Sequence, residues 1–218
     1  MMILINGGSS SGKFGFAETL IVEQAKKEEM MAEAAGKSMR GGGRKTDLRH
    51  QPSFYLATMI AWDEECRERI RKHRKMRKKK NFMTIECPVD LLKAEVPARS
   101  RCLLECVSNL AANEMYRRDM EDPENGAMER ILEGIRMIRK NADFLVVVTN
   151  DVSGDQGPYS EETEEYRKLL GRINCALAGE ADEGDPQVHE QQSEGNALGV
   201  AAPLTDGEGD DAQAQAVD

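Results

Sequence analysis

The sequence predicts an α/β fold, a three-layer phosphate-loop domain whose mostly parallel sheet is covered by helices on both faces. Three observations predict it. The apolar run Met2-Ile3-Leu4-Ile5-Asn6 leads into Gly7-Gly8-Ser9-Ser10-Ser11-Gly12-Lys13. This satisfies G-x-x-x-x-G-K, in which backbone N–H groups wrap a phosphate chain and the lysine reaches its outer oxygens. Short apolar runs then alternate with stretches of helical period, the pattern of strands joined by helical crossovers. Several runs are apolar throughout rather than at every second residue, as strands buried on both faces require.

After the loop, Ala17, Leu20 and Ile21 open a helix predicted over 16–35 and stopped by Gly36. Its N-terminus would aim unpaired N–H groups at phosphate. Residues 37–51, with Gly41-Gly42-Gly43 among basic residues, read as a flexible insertion. A second strand is predicted at 53–59, then a charged helix from about Asp63, then a short strand at 82–85. Pro88 opens a predicted helix near 89–93, and residues 101–105 form an apolar strand ending in the carboxylate of Glu105. A helix at 108–116 and a polar loop at 119–126 come next. Met128, Ile131, Leu132, Ile135 and Ile138 then recur at helical spacing. Phe144-Leu145-Val146-Val147-Val148-Thr149 is the clearest buried strand. Tyr166, Leu169, Leu170, Ile173 and Leu177 make one apolar stripe of a last helix over 161–181.

At 218 residues the chain suits one domain, expected over 1–183, with an acidic tail over 184–218. The net charge of −9 is concentrated there: from Glu180 onward there are 11 Asp or Glu and no Lys or Arg, so the remainder is near neutral. That tail has no aromatic residue and too little apolar surface to offset its ordering entropy, so it is expected to be disordered. The chain as a whole shows no secretory signal, no membrane-length apolar run and no C-x-x-C pair among its five cysteines. The expectation is a cytoplasmic protein without membrane insertion. Cys102 and Cys106 read as small apolar residues at a strand end, the alternative being metal ligands.

Residues 67–80 hold ten Lys or Arg, with His73 four residues from both Arg69 and Arg77. On a helix those three share a face. Guanidinium groups there would neutralise nucleotide oxygens and favour an unprotonated imidazole, making His73 a candidate nucleophile toward phosphorus. The competing readings are a solvated basic helix and a nucleic-acid footprint, the latter without the interleaved aromatics that stacking would use. Glu105 sits at a strand end where phosphate-loop proteins place an acidic residue for magnesium or its water. Glu86, at another strand end, could accept from a base or ribose. Thr149-Asn150-Asp151 is expected to face the ligand crevice, with capping by Asp151 the alternative. Phe14 stands where the loop would carry a magnesium-binding hydroxyl and cannot ligate a metal.

Taken together, the segments resemble the adenosylcobinamide kinase / adenosylcobinamide-phosphate guanylyltransferase family of cobalamin biosynthesis. The resemblance covers most of residues 2–183. It rests on the loop, on Tyr55-Leu56-Ala57-Thr58, on Asp63-Glu64-Glu65 with Arg69-Ile70-Arg71-Lys72-His73-Arg74, and on Thr84-Ile85-Glu86. Leu103-Leu104-Glu105-Cys106, Val147-Val148-Thr149-Asn150-Asp151-Val152 and Gly171-Arg172-Ile173-Asn174 extend it. It implies a bifunctional enzyme, a homotrimer, that phosphorylates adenosylcobinamide with ATP or GTP and then transfers GMP from GTP, with Mg2+ as cofactor. It also implies that His73 becomes guanylylated. Gly7, Gly8, Ser9, Ser10, Ser11, Gly12, Lys13, Phe14, Ala57, Thr58, Met59, Arg74, Lys75, Met76, Arg77, Glu86 and Glu105 are then the expected nucleotide contacts. Three departures stand out: Phe14, the basic insertion, and an acidic tail where the family has a final apolar strand. The alternative is a nucleotide-binding member whose kinase half is lost through Phe14.

Overall fold

Strand β1 (Met2–Gly7) runs into helix α1 (Lys13–Ala34). The alternation continues through β2 (Ser53–Ala57), α2 (Glu64–Lys78), β3 (Phe82–Glu86), β4 (Ser100–Glu105), α3 (Val107–Met115), α4 (Ala127–Asn141), β5 (Ala142–Asn150) and α5 (Glu161–Glu180). This is a computed structural model describing residues 1–8, 11–34, 52–61, 63–78, 80–152 and 157–182, without the side chains of Glu65, Arg69, Lys72, Met76 and Lys78. The expected insertion at 37–51 and tail at 184–218 lie outside the described residues, as do Ser9 and Ser10.

The strands form one sheet in the order β1-β5-β4-β2-β3, every pair parallel. Successive side chains of a strand point to opposite faces. Leu4, Leu56, Leu104 and Val147 therefore share one core with Leu110, Ile131, Ile135, Leu170 and Ile173 of α3, α4 and α5. Ile3, Ile5, Leu103, Val146 and Val148 share the other with Ala17 and Ile21 of α1. Each fully buried aliphatic side chain contributes roughly 1.5–3 kcal/mol, so both faces hold the sheet rigid. Its carboxyl ends are where ligands of open α/β sheets gather.

Helix α2 is built differently. Asp63 caps it, its Oδ1 accepting the Cys66 N–H at 2.6 Å, but its sequence is mostly basic and most of its described side chains are exposed. It is anchored near its C-terminal end, where Arg77 is buried over the Tyr55 ring. Just beyond, Lys80 pairs with Glu18 of α1.

The helix predicted at 89–93 is instead a single 3-10 turn, Leu91–Lys93. Asp90 takes a left-handed conformation (φ 54) and its N–H donates to Glu114 Oε1 at 2.5 Å, which turns the chain before a helix can propagate. Leu91 then seats on Gly134 of α4, where a Cβ would stand 2.4 Å from the Leu91 Cβ. Among the described residues β1 and β3 are the sheet edges. The outer side of β1 is met by Asp182, which accepts the Met2 N–H at 2.6 Å and donates its own N–H to Met2 O at 2.9 Å. No helix among these residues is long and apolar enough to cross a membrane.

Candidate active site

Gly12 closes the loop after β1. Gly12 sits at φ +80, a conformation that favours glycine, and α1 starts at the next residue with the Phe16 N–H donating to Gly12 O at 3.1 Å. The first N–H groups of α1 therefore point out of the helix at the loop. Lys13 is 1% exposed, and its Nζ donates to Gly8 O at 2.9 Å. Burial lowers its pKa, opposed by the nearby Cys106 and Glu105. The Phe14 ring lies under that ammonium, 4.7 Å from Nζ to centroid, and packs against the α1 side of the core. Ser11 Oγ and Asn6 Oδ1 are buried with no hydrogen-bond partner among the described residues.

At the end of β4, Glu105 is the hub. Tyr55 donates its phenol O–H to Glu105 Oε2, and Glu105 Oε1 lies 3.9 Å from His73 Nδ1. That separation is too long for a direct hydrogen bond but close enough for the carboxylate to bias the imidazole. Burial raises the Glu105 pKa; Tyr55, Arg77 and Lys13 oppose that shift and Glu18 adds to it. Arg77, one helical turn after His73, is 4% exposed. Its Nε and Nη1 have no hydrogen-bond partner among the described residues, and its Cζ stacks 3.7 Å from the Tyr55 ring centroid. Both orphan nitrogens are donors suited to an anion.

One pocket brings together Ala57, Met59, His73, Arg77, Glu86 and Glu105 from the expected set. Tyr55, Ile70 and Asn109 complete its lining. Sequence reading missed Tyr55 and Asn109 as site residues. Tyr55 carried a signal, since a phenol on an otherwise apolar buried strand must find a polar partner; Asn109 carried none. Arg74 stands at the rim, its Nε and Nη2 donating to Glu86 Oε1 at 3.1 and 2.5 Å. Lys75 is exposed on the same helix, and the side chains of Arg69 and Met76 are not among those described. Thr58 is wholly buried. Its Oγ1 accepts the Cys106 N–H at 2.8 Å and lies 3.0 and 2.9 Å from the carbonyl oxygens of Glu105 and Cys106.

The expectation for Thr149-Asn150-Asp151 is corrected in part. Thr149 donates to Asn174 Oδ1 at 2.7 Å and Asn150 Nδ2 to Ser108 Oγ at 2.6 Å. The wholly buried Thr149 therefore clamps β5 to α5 instead of facing a ligand, whereas the half-buried Asn150 stays at the strand end beside the first turn of α3. Asp151 donates its N–H to Gly7 O at 3.2 Å, continuing the β1 pairing. The described residues fit a protein-held magnesium ion poorly. Residue 14 offers no oxygen, one Glu105 oxygen accepts from Tyr55, and no three His, Cys, Asp or Glu converge. Cys102 and Cys106 are simply buried.

Comparisons with known proteins give the family. A sequence model described as "Cobinamide kinase / cobinamide phosphate guanyltransferase" matches residues 32–185. The "Bifunctional adenosylcobalamin biosynthesis protein CobU" of Salmonella typhimurium (strain LT2) is 29% identical over 195 residues, covering 84% of this chain and 93% of the relative. The Escherichia coli (strain K12) protein of the same name is 27% identical over the same extent. A KaiC-like protein from Pyrococcus horikoshii OT3 overlays with a TM-score of 0.37 at 12% identity, covering 75% of this chain and 68% of its own.

Proposed function

Because the chain belongs to the cobinamide kinase / cobinamide phosphate guanyltransferase family, we propose that it transfers GMP from GTP to adenosylcobinamide phosphate through a guanylyl-histidine at His73, after phosphorylating adenosylcobinamide with ATP or GTP. One observation carries the reading: His73 faces the buried carboxylate of Glu105 across 3.9 Å, with the orphan donors of Arg77 one turn further along α2. With Nδ1 turned to Glu105, Nε2 is the attacking nitrogen. Its lone pair forms the N–P bond at the α-phosphorus and the bond to pyrophosphate breaks. The imidazole becomes cationic and keeps its proton on Nδ1, where Glu105 stabilises it. A phosphate oxygen of adenosylcobinamide phosphate then attacks the same phosphorus, and His73 leaves as the neutral imidazole.

Lys13, the loop from Gly7 to Phe14 and the α1 N-terminus would receive the triphosphate. Ala57, Thr58, Met59, Glu86 and the stretch from Arg74 through Lys75 and Met76 to Arg77 would shape the nucleotide site. Magnesium would arrive bound to the nucleotide's own oxygens. The same reading makes the protein a cytoplasmic homotrimer, which sedimentation would test. GTP labelled at the α-phosphorus should leave acid-labile, base-stable label on the protein. His73→Ala should abolish it, and equal labelling of that variant would refute the nucleophile.

A second reading has its own observation. The Phe14 ring, set against the Lys13 ammonium at 4.7 Å, occupies the position from which a hydroxyl would meet the metal. In that reading the kinase half-reaction is lost and only nucleotide binding or guanylyl transfer remains.

A further inference from the structure

We propose that Tyr55 is a positioning residue for guanylyl transfer, fixing both the carboxylate that faces His73 and the guanidinium that would hold the phosphate. The inference rests on the guanylyl-histidine reading above. Tyr55 is 2% exposed and touches both groups with different parts of one side chain. Its O–H donates to Glu105 Oε2, which leaves Oε1 as the oxygen beside His73 Nδ1. Its ring face carries the Arg77 guanidinium at 3.7 Å, and Phe82 meets the ring edge-on at 5.9 Å between centroids and 84°.

The backbone explains why a tyrosine is needed. In the β2–β4 register Tyr55 pairs with Leu103 and Ala57 with Glu105, so Tyr55 starts two residues below the carboxylate it reaches. Phenylalanine would fill the same slot and stop short of Glu105. Arg77 also gains from the arrangement. A guanidinium oriented by a carboxylate has its donors occupied, whereas one oriented by an aromatic face keeps its N–H edge for an incoming anion. The unpartnered Nε and Nη1 fit that second case. His73 and Arg77 lie one turn apart on α2, so a single ring fixes the neighbour of one and the plane of the other. The phenol acts as a donor throughout, because burial and the Glu105 charge push its pKa far above the ordinary range.

Tyr55→Phe separates the roles, keeping the platform and removing only the hydroxyl. In single-turnover labelling with α-labelled GTP, the Phe variant should react about ten- to a hundredfold more slowly than wild type, the loss of one hydrogen bond to a charged group. Its GTP affinity should stay within about twofold of wild type, since binding common to ground and transition states is untouched. In a Glu105→Ala background the same change should cost nothing further, because the hydroxyl acts through Glu105. Labelling at the wild-type rate would overturn the proposal while leaving the guanylyl-histidine reading intact. A loss of GTP affinity as large as the loss of rate would make Tyr55 a scaffold residue, and an undiminished effect without Glu105 would remove the stated route. Wild-type protein that takes up no label would overturn both readings.

Discussion

Replacing Thr58 with valine tests whether the buried hydroxyl behind the site holds the backbone that carries Glu105. The two side chains have nearly the same shape, so no cavity forms and the loss is polar. Thr58 Oγ1 accepts the Cys106 N–H at 2.8 Å; without it that donor is buried and unsatisfied, which costs about 1–3 kcal/mol. The Glu105 carbonyl also loses a neighbour at 3.0 Å but keeps the Thr58 N–H at 3.1 Å, so this loss is smaller. A total of about 2–3 kcal/mol corresponds to a fall in thermal midpoint of roughly 4–12 °C for a domain of this size. Thermal unfolding followed by circular dichroism measures it, with Thr58→Ser as the control that keeps the oxygen. If valine melts with wild type, or serine falls as far as valine, the hydroxyl is not the clamp.

Glu105→Gln should be more stable than wild type at neutral pH. Burial holds the Glu105 carboxyl above its ordinary value near 4.5, so the native state binds this proton more tightly than the unfolded chain. Stability therefore falls as pH rises from the ordinary value through the folded one, and below the ordinary value no difference remains. Urea midpoints across pH should show glutamine's advantage at neutrality and its disappearance in acid; equal midpoints at neutral pH would contradict the desolvation argument. Phe14→Ser should raise phosphorylation of adenosylcobinamide about tenfold or more by returning an oxygen to the metal position, with α-label transfer to His73 little changed. Unchanged turnover would show that another oxygen, such as the buried Ser11 hydroxyl, already serves, and no turnover in either protein would show that the activity is absent.

Elements defined by local chemistry were legible in the sequence. Phe144 to Thr149 is too continuously apolar for anything but a strand buried on both faces, and β5 runs through it. The stripe from Tyr166 to Leu177 likewise falls on α5. Features set by what another segment brings were not. The 89–93 segment has a helix opener in Pro88, but Glu114 and Gly134, distant in sequence, decide its path. Thr149 and Asn150 end a strand on the ligand side, yet Asn174 and Ser108 take their side chains. Glu105 and His73 could each be picked out from strand-end and helix-face patterns. Their approach to 3.9 Å depends on strand order, which no local pattern encodes.

That strand order also bears on how one nucleotide could serve both halves of the site. The phosphate loop follows β1 and Glu105 ends β4, with β5 between them. Two inter-strand steps of about 4.8 Å put the two strand ends roughly 10 Å apart. Lys13 reaches back across part of that gap, close enough for Glu105 to oppose the lowering of its pKa. Thr149 turns toward α5, while the Asn150 amide reaches Ser108 at the start of α3. Under the proposed function a triphosphate would lie across the end of β5, its outer phosphates on the loop and its α-phosphorus toward His73. In that pose Phe14 would sit beside the outer phosphates, where a kinase needs its metal, and would be remote from the phosphorus that His73 is proposed to attack. Phe14 would therefore weigh on phosphorylation first and on guanylyl transfer only through binding.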